Sequence, residues 1–267
     1  GRSSGQQVCS CDIGGIDVQS NGDIIVTGSF ANSWINFNGP GSSLVLNSNN
    51  YTSSSQKLFV AKISPQGDWL WAQNSDGSAV TYVHGLSVDE DDNIILRGTY
   101  SQGGTGWGKN LIIGSSTFTT QHSLTYLYVA KLSNNGNWLW AINGGGEPQS
   151  STQSNGYRWA HGYFDSGVRG PGGIITHGND IYISLRSHNI VSLGNTFTNI
   201  FTDSYDIIIA KIDTNGNWIW YQNFGTQGQD GIESLAITDN NELYAAGYYN
   251  CQTTICSISI GDYVLSN

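Results

Sequence analysis

Short runs of alternating apolar and polar residues, each ended by an Asn, Asp or Gly turn, recur along the whole chain. In "FVAKIS", residues 59–64, Phe59, Ala61 and Ile63 fall on one side of an extended strand while Val60 and Lys62 fall on the other. No stretch carries the 3.6-residue period of an amphipathic helix. The pattern predicts an all-β protein of short antiparallel strands joined by tight turns.

The strands come in families. "LFVAKISPQGDWLWAQNSDG" begins at Leu58, "LYVAKLSNNGNWLWAINGGG" at Leu127 and "DIIIAKIDTNGNWIWYQNFG" at Asp206, so that Lys62, Lys131 and Lys211 hold one position in three copies. A second motif alternates with the first: "GIDVQSNGDIIVTGSF" (15–30), "GLSVDEDDNIILRGTY" (85–100), "GIITHGNDIYISLRSH" (173–188) and "SLAITDNNELYAAGYY" (234–249). Both read as hairpins, the first from "FVAKI" to "WLWAQ". A looser third motif follows each copy of the second, as in "SSLVLNS", "LIIGSSTFTTQ", "IVSLGNTFTNI" and "SISIGDYVLSN". Four or more strands per period of about 70 residues match one propeller blade with decorations. The chain therefore divides into repeats at about 13–84, 85–172, 173–233 and 234–267 within a single domain, 1–267. Because "NGNWLW" recurs as "QGDWLW" and "NGNWIW", the Trp pairs are read as packing between repeats, both rings of a pair facing one way, and not as a ligand platform. Each recurrent lysine is expected to lay its stem along a Trp and pair with a turn carboxylate or carbonyl, the other reading being a channel lining that draws anions.

These repeats resemble the SBBP-type bacterial β-propeller repeat. The residues that carry the resemblance are Ala61-Lys62, Trp69, Trp71, Val88-Asp89 and Gly98, with Ala130-Lys131, Trp138, Trp140, Ala210-Lys211, Trp218, Trp220 and Gly247. The resemblance implies a propeller on an exported or surface protein and brings no catalytic residue with it.

The chain departs from a perfect repeat in two ways. It has four copies of the second motif and three of the Lys–Trp hairpin, so one hairpin is missing. Two outcomes are open. The N-terminal hairpin (13–30) joins the C-terminal "CSISIGDYVLS" segment in one composite blade that closes a ring, or a neighbouring copy supplies the missing strands. The second departure is an insert, residues 144–173, in which Tyr157, Arg158, Trp159, His161, Tyr163, Phe164, Asp165 and Arg169 gather. Aromatic rings beside hydrogen-bonding groups suit stacking on sugars or anchoring a protein partner; alternatively Trp159 and Phe164 only cap the domain. A smaller insert, 101–110, places Trp107 among glycines, as a contact residue or as a lid.

Composition narrows the function. Ten basic against twenty acidic residues, a net charge of −10, disfavour a phosphate backbone and an anionic membrane surface, and no run of about 18 apolar residues suggests membrane insertion. The partners expected are a glycan, a cell-surface protein or copies of the chain itself. Cys9, Cys11, Cys251 and Cys256 sit at the two ends of the chain; their even number in a Lys-poor chain points to disulfides of an extracellular protein, with a four-thiolate zinc site as the alternative. A chain without Met that starts at Gly1 suggests either a processed precursor or a trimmed sequence, from which any signal peptide would already be gone. No G-x-S-x-G or H-E-x-x-H occurs, and His84, His122, His161, His177 and His188 are scattered, so no enzyme activity and no cofactor are expected. "DEDDN" (89–93) sets Asp89, Asp91 and Asp92 together as a calcium candidate, against the reading of a solvated turn, since the parallel turns read "QSNGD", "HGND" and "TDNNE".

Overall fold

The computed structural model describes residues 11–31, 33–48, 56–103, 108–120, 125–146, 163–164, 173–188, 191–194, 196–198, 205–226, 228, 230–250, 257–260 and 263–266. Among them there is no α-helix, and the strands form antiparallel sheets.

Each of the first three repeats builds one module. In the first, Cys11–Val18, Ile24–Phe30, Lys57–Ile63 and Trp69–Asn74 pair in chain order. The second sets out Val80–Val88, Ile94–Ser101, Thr125–Leu132 and Trp138–Gly146 in the same way. The third uses Ile174–His177, Asp180–His188, Tyr205–Asp213 and Trp218–Phe224. Of the fourth, the hairpin Gly231–Ile237 with Leu243–Tyr248 is described. Ile24–Phe30 pairs with Lys57–Ile63 along its full length, and among the described residues Ser257–Ile260 pairs with Tyr263–Ser266 as a two-stranded hairpin.

The turns explain themselves. Gln19 N donates to Asp23 O and Gly22 N to Gln19 O, and the same pair of bonds recurs at Ser64–Asp68, Asp89–Asn93, Ser133–Asn137, Asp213–Asn217 and Thr238–Glu242. Each is a three-residue loop whose third residue must adopt a left-handed backbone. Gly fills that place at 22, 67, 136 and 216, and Asp92 (φ 61°) and Asn241 (φ 64°) fill it in the two turns without glycine. Asp and Asn tolerate this region better than other side chains.

A bulge sits at one place in every Lys–Trp hairpin. Lys62 faces Trp71 and Ile63 faces Trp69, and Lys131–Leu132 and Lys211–Ile212 pair with Trp140–Trp138 and Trp220–Trp218 in the same way. Two neighbouring residues on one strand thus face two Trp residues that are two apart on the other, so the rings point to opposite sides of the sheet. The expected single aromatic face is corrected by this extra residue. Leu70, Leu139 and Ile219, the residues between the rings, are left exposed.

The two rings of a pair consequently serve different cores. Trp71 and Trp138 pack on the cluster between the first two modules, with Leu96, Leu111, Tyr128 and Leu132 inside it. Trp140 and Trp218 pack on the next, around Ile95, Val129, Ile183 and Ile208. Strands such as Lys57–Ile63 are buried on both faces, so their alternation separates two cores instead of core from solvent. The third-motif hairpins lock the modules further. Asn110–Ile113 of the second module pairs with Asp76–Gly77, the continuation of the first module's Trp strand, and Val191–Leu193 of the third pairs with Gly144–Gly146. First strands follow one another in space: Val80–Val88 packs on Cys11–Val18, Ile174–His177 on Val80–Val88, and Gly231–Ile237 on Ile174–His177. At the start of this row Ile13 (78% exposed), Ile16 and Val18 face outward.

Candidate functional site

Of the residues singled out in the inserts, Tyr157, Arg158, Trp159, His161, Asp165, Arg169 and Trp107 lie outside the described residues, as do Cys9, Cys251 and Cys256. The backbone of Tyr163 is placed: Tyr163–Phe164 pairs with Ser187 and His188 at the far end of the third module's second strand. The 144–173 insert thus leaves the second module from a strand end at Gly146, touches the third sheet, and re-enters at Ile174. It carries a strand segment that its sequence did not announce.

The recurrent lysines form a clasp. Lys62 Nζ lies 2.8 Å from Asp23 Oδ2, Lys131 Nζ 2.8 Å from Asp89 Oδ2 and Lys211 Nζ 2.7 Å from Asp180 Oδ2. The carboxylate comes from either end of the turn, because Asp23 and Asp180 close theirs while Asp89 opens its own. The clasp then reaches forward. Lys62 Nζ donates to Asn134 Oδ1 of the second module (2.6 Å), and Lys131 Nζ donates to Thr214 Oγ1 of the third (2.5 Å). The aromatic ring beside each lysine covers the same incoming turn. A Cβ at Gly136 would lie 3.0 Å from the Trp71 ring, and one at Gly216 would lie 3.1 Å from Trp140. Trp140 also donates its indole N–H to Thr214 O (2.9 Å). The turn-carboxylate reading of the lysines holds, and no anion path is needed to explain them.

The acidic turn is absorbed in the same framework. Asp89 Oδ1 accepts from the backbone of Asp91 and Asn93 while its Oδ2 meets Lys131. Asp92 turns the other way and accepts from the backbone N–H (2.7 Å) and hydroxyl (2.5 Å) of Ser20 in the first module. The hydrogen bonds from Ser20 hold the Asp92 carboxyl below the usual carboxylate range. Glu90 accepts from Gly178 N of the third module. The carboxylates of Asp92, Asp89 and Glu90 thus reach partners in the first, second and third modules. Among the described residues no group of three or more His, Cys, Asp or Glu side chains converges on a metal position.

Sequence reasoning missed Arg97. It lies on the second module's second strand, is buried, and its Nε and Nη2 have no hydrogen-bond partner among the described residues. Burial pulls the guanidinium down to about 10. Its head lies against Gly173, where a Cβ would collide with it, so the guanidinium sits at the foot of the 144–173 insert. Tyr128 is the neighbouring phenol; burial pushes it up, and it donates to Tyr82 O (3.0 Å). The only pointer in the sequence is an Arg in place of the small or apolar residues expected between "IIL" and "GTY". His84 is buried against Thr99 Oγ1 (2.8 Å) and stacks on Tyr82, a core arrangement.

Comparison with known proteins agrees with the geometry. No family model matches the chain, so the SBBP resemblance rests on the quoted residues alone. Over 129 residues, 48% of its length, the chain is 26% identical to an uncharacterized WD repeat-containing protein of Acanthamoeba polyphaga mimivirus. The match spans 9% of that protein. Successive four-stranded antiparallel modules and a WD repeat relative make this an all-β chain of the propeller type.

Proposed function

We propose that the chain is a non-enzymatic scaffold of the propeller type that works outside the cell, holding a partner-binding surface at the 144–173 insert, with a glycan or a surface protein as ligand. One observation carries this reading. Lys62, Lys131, Trp71 and Trp140 are engaged with the turn of the next module, whereas Nε and Nη2 of the buried Arg97, at the foot of the non-repeating insert, find no hydrogen-bond partner among the described residues. What repeats holds the scaffold, and what does not repeat is left for recognition. The similarity to a WD repeat protein supports a binding role over catalysis. The test is a glycan and surface-protein array probed with the wild type and with Trp159→Ala and Arg158→Ala. Binding at least about tenfold weaker with an unchanged Tm supports the insert as the site, and unchanged binding discards it.

A second reading, assembly of copies into an extracellular filament or sheath, draws on the outward Ile13, Ile16 and Val18 of the first strand. Sedimentation from low to high micromolar concentration tests it, and a monomer throughout sinks it.

A further inference from the structure

We propose that the exposed edge of Leu243–Tyr248, with Glu242, Tyr244 and Trp220, is a docking site for one further β-hairpin of the Lys–Trp type. The proposal does not depend on the insert.

The argument comes from the third module. There Tyr182 pairs with Lys211 across the strands, its hydroxyl donates to Asp180 Oδ2 (3.4 Å), and the lysine ammonium lies 5.5 Å from the Tyr182 ring centroid and 2.7 Å from Asp180. Carboxylate and phenol, two residues apart, thus make a socket for one lysine. The fourth module repeats the socket. Glu242 and Tyr244 have the spacing and turn position of Asp180 and Tyr182, and the Tyr244 hydroxyl donates to Glu242 Oε2 at the same 3.4 Å. In modules one to three the second strand is covered by a Lys strand. Leu243–Tyr248 pairs with Gly231–Ile237 alone among the described residues, and Tyr244 (58% exposed) and Tyr248 are open to solvent.

The second half of the site lies on the third module. Lys62 and Lys131 each find an acceptor in the next module's turn, and Trp71 and Trp140 each cover that turn's glycine. Trp220 stands in the same register opposite Lys211, 39% exposed, its ring tilted against Tyr182. The Lys211 side chain is 21% exposed, against 5% for Lys131. In the second and third modules a single hairpin meets both needs: its Lys strand pairs with its own module's second strand, and its turn docks on the module before. One hairpin with Lys on its first strand and an acceptor-Asn-Gly turn therefore fits both halves here.

A second copy of this chain is a poor occupant. Lys57–Ile63, Thr125–Leu132 and Tyr205–Asp213 are each paired on both sides. The exposed first-module turn carries Pro65 where Asn134 and Thr214 offer acceptors, so it has no side chain for Lys211.

The test titrates the full chain into a fluorescent synthetic peptide of residues 125–146. We expect saturable one-to-one binding. Lys131→Gln in the peptide and Glu242→Gln in the chain should each weaken it about fivefold, with little further loss when combined, and Trp220→Ala should weaken it independently. Absence of saturable binding, or binding indifferent to both the peptide lysine and Glu242, overturns the proposal. So does self-association through this edge that the peptide fails to displace, since the occupant would then be a second copy.

Discussion

Trp140 donates its indole N–H to the carbonyl of Thr214, 2.9 Å away in space and 74 residues away in sequence. The bond joins the second module to the third at the position where Gly216 lies under the indole ring. Truncating this ring removes packing and strands a carbonyl. Trp140→Ala should cost about 2–3 kcal/mol and Trp140→Phe about 1. Trp220, which has no incoming turn among the described residues, should tolerate Trp220→Ala at roughly half the cost or less. Guanidinium midpoints of the three variants read the difference. Equal losses at Trp140 and Trp220 would remove the inter-module role.

Turn backbone offers a test with opposite signs. Gly136 has φ 81°, and an added Cβ would press on the Trp71 ring. Gly136→Ala should therefore lose about 2 kcal/mol from left-handed strain and crowding together. Asn241 holds φ 64° at the exposed turn of the fourth module, and Asn241→Gly should gain a few tenths to about 1 kcal/mol. Thermal melts of both variants check the pair of signs.

Much of this architecture was legible in the chain, and what was not has physical reasons. Recurrence fixes position: Lys62, Lys131 and Lys211, the Trp pairs and the Asx-Gly turns mark the hairpins. Partner choice is different, because it depends on which strand end lies nearby in space. Nothing local in "NLII" tells that it will pair with Asp76–Gly77 of the preceding module, or in "VSL" that it meets Gly144–Gly146. A one-residue bulge is equally silent, yet it sends Trp69 and Trp71 to opposite faces. Alternation also misreads Arg97, since a strand buried on both sides has no solvent face on which a charge is expected.

Acid should weaken the modules through carboxyls held below their ordinary values. Asp92 is lowered chiefly by the Ser20 hydroxyl, and Asp213 by the Asn217 side chain. At Asp23 burial acts upward, but the hydrogen bonds from Lys62 and Asn21 outweigh it and the net shift is down. A depressed folded value means stability that is complete above the unfolded carboxyl value, about 4, and is lost as pH falls through the folded one. Asp92→Asn should therefore be less stable than wild type at neutral pH and converge with it near pH 2. Lys211 is shifted upward by its hydrogen bond to Asp180, so its contribution is complete below about pH 10 and fades only above it. Denaturant midpoints across pH 2–7 for Asp92→Asn, and across pH 8–11 for Lys211→Met, test both signs.

The clasp at Lys131 separates a structural ion pair from a displaced channel charge. Lys131 and Asp89 side chains are 5% and 9% exposed and 2.8 Å apart, with Thr214 as a third partner. Breaking such a pair from one side leaves a buried charge without its counter-ion, so Lys131→Met should cost about 3 kcal/mol. Asp89→Asn alone should cost about 2, because an amide retains an oxygen for the backbone N–H groups of Asp91 and Asn93 but faces an ammonium without neutralising it. The double replacement removes both charges together and should recover at least about 1 kcal/mol relative to the sum of the single losses. A channel lining predicts the reverse order: Lys131→Met would be nearly neutral for folding, and the two changes would add. The double-mutant cycle, measured at pH 7 in low and in high salt, decides between them. Salt should leave the coupling largely intact, because the pair is shielded from solvent by the second and third modules.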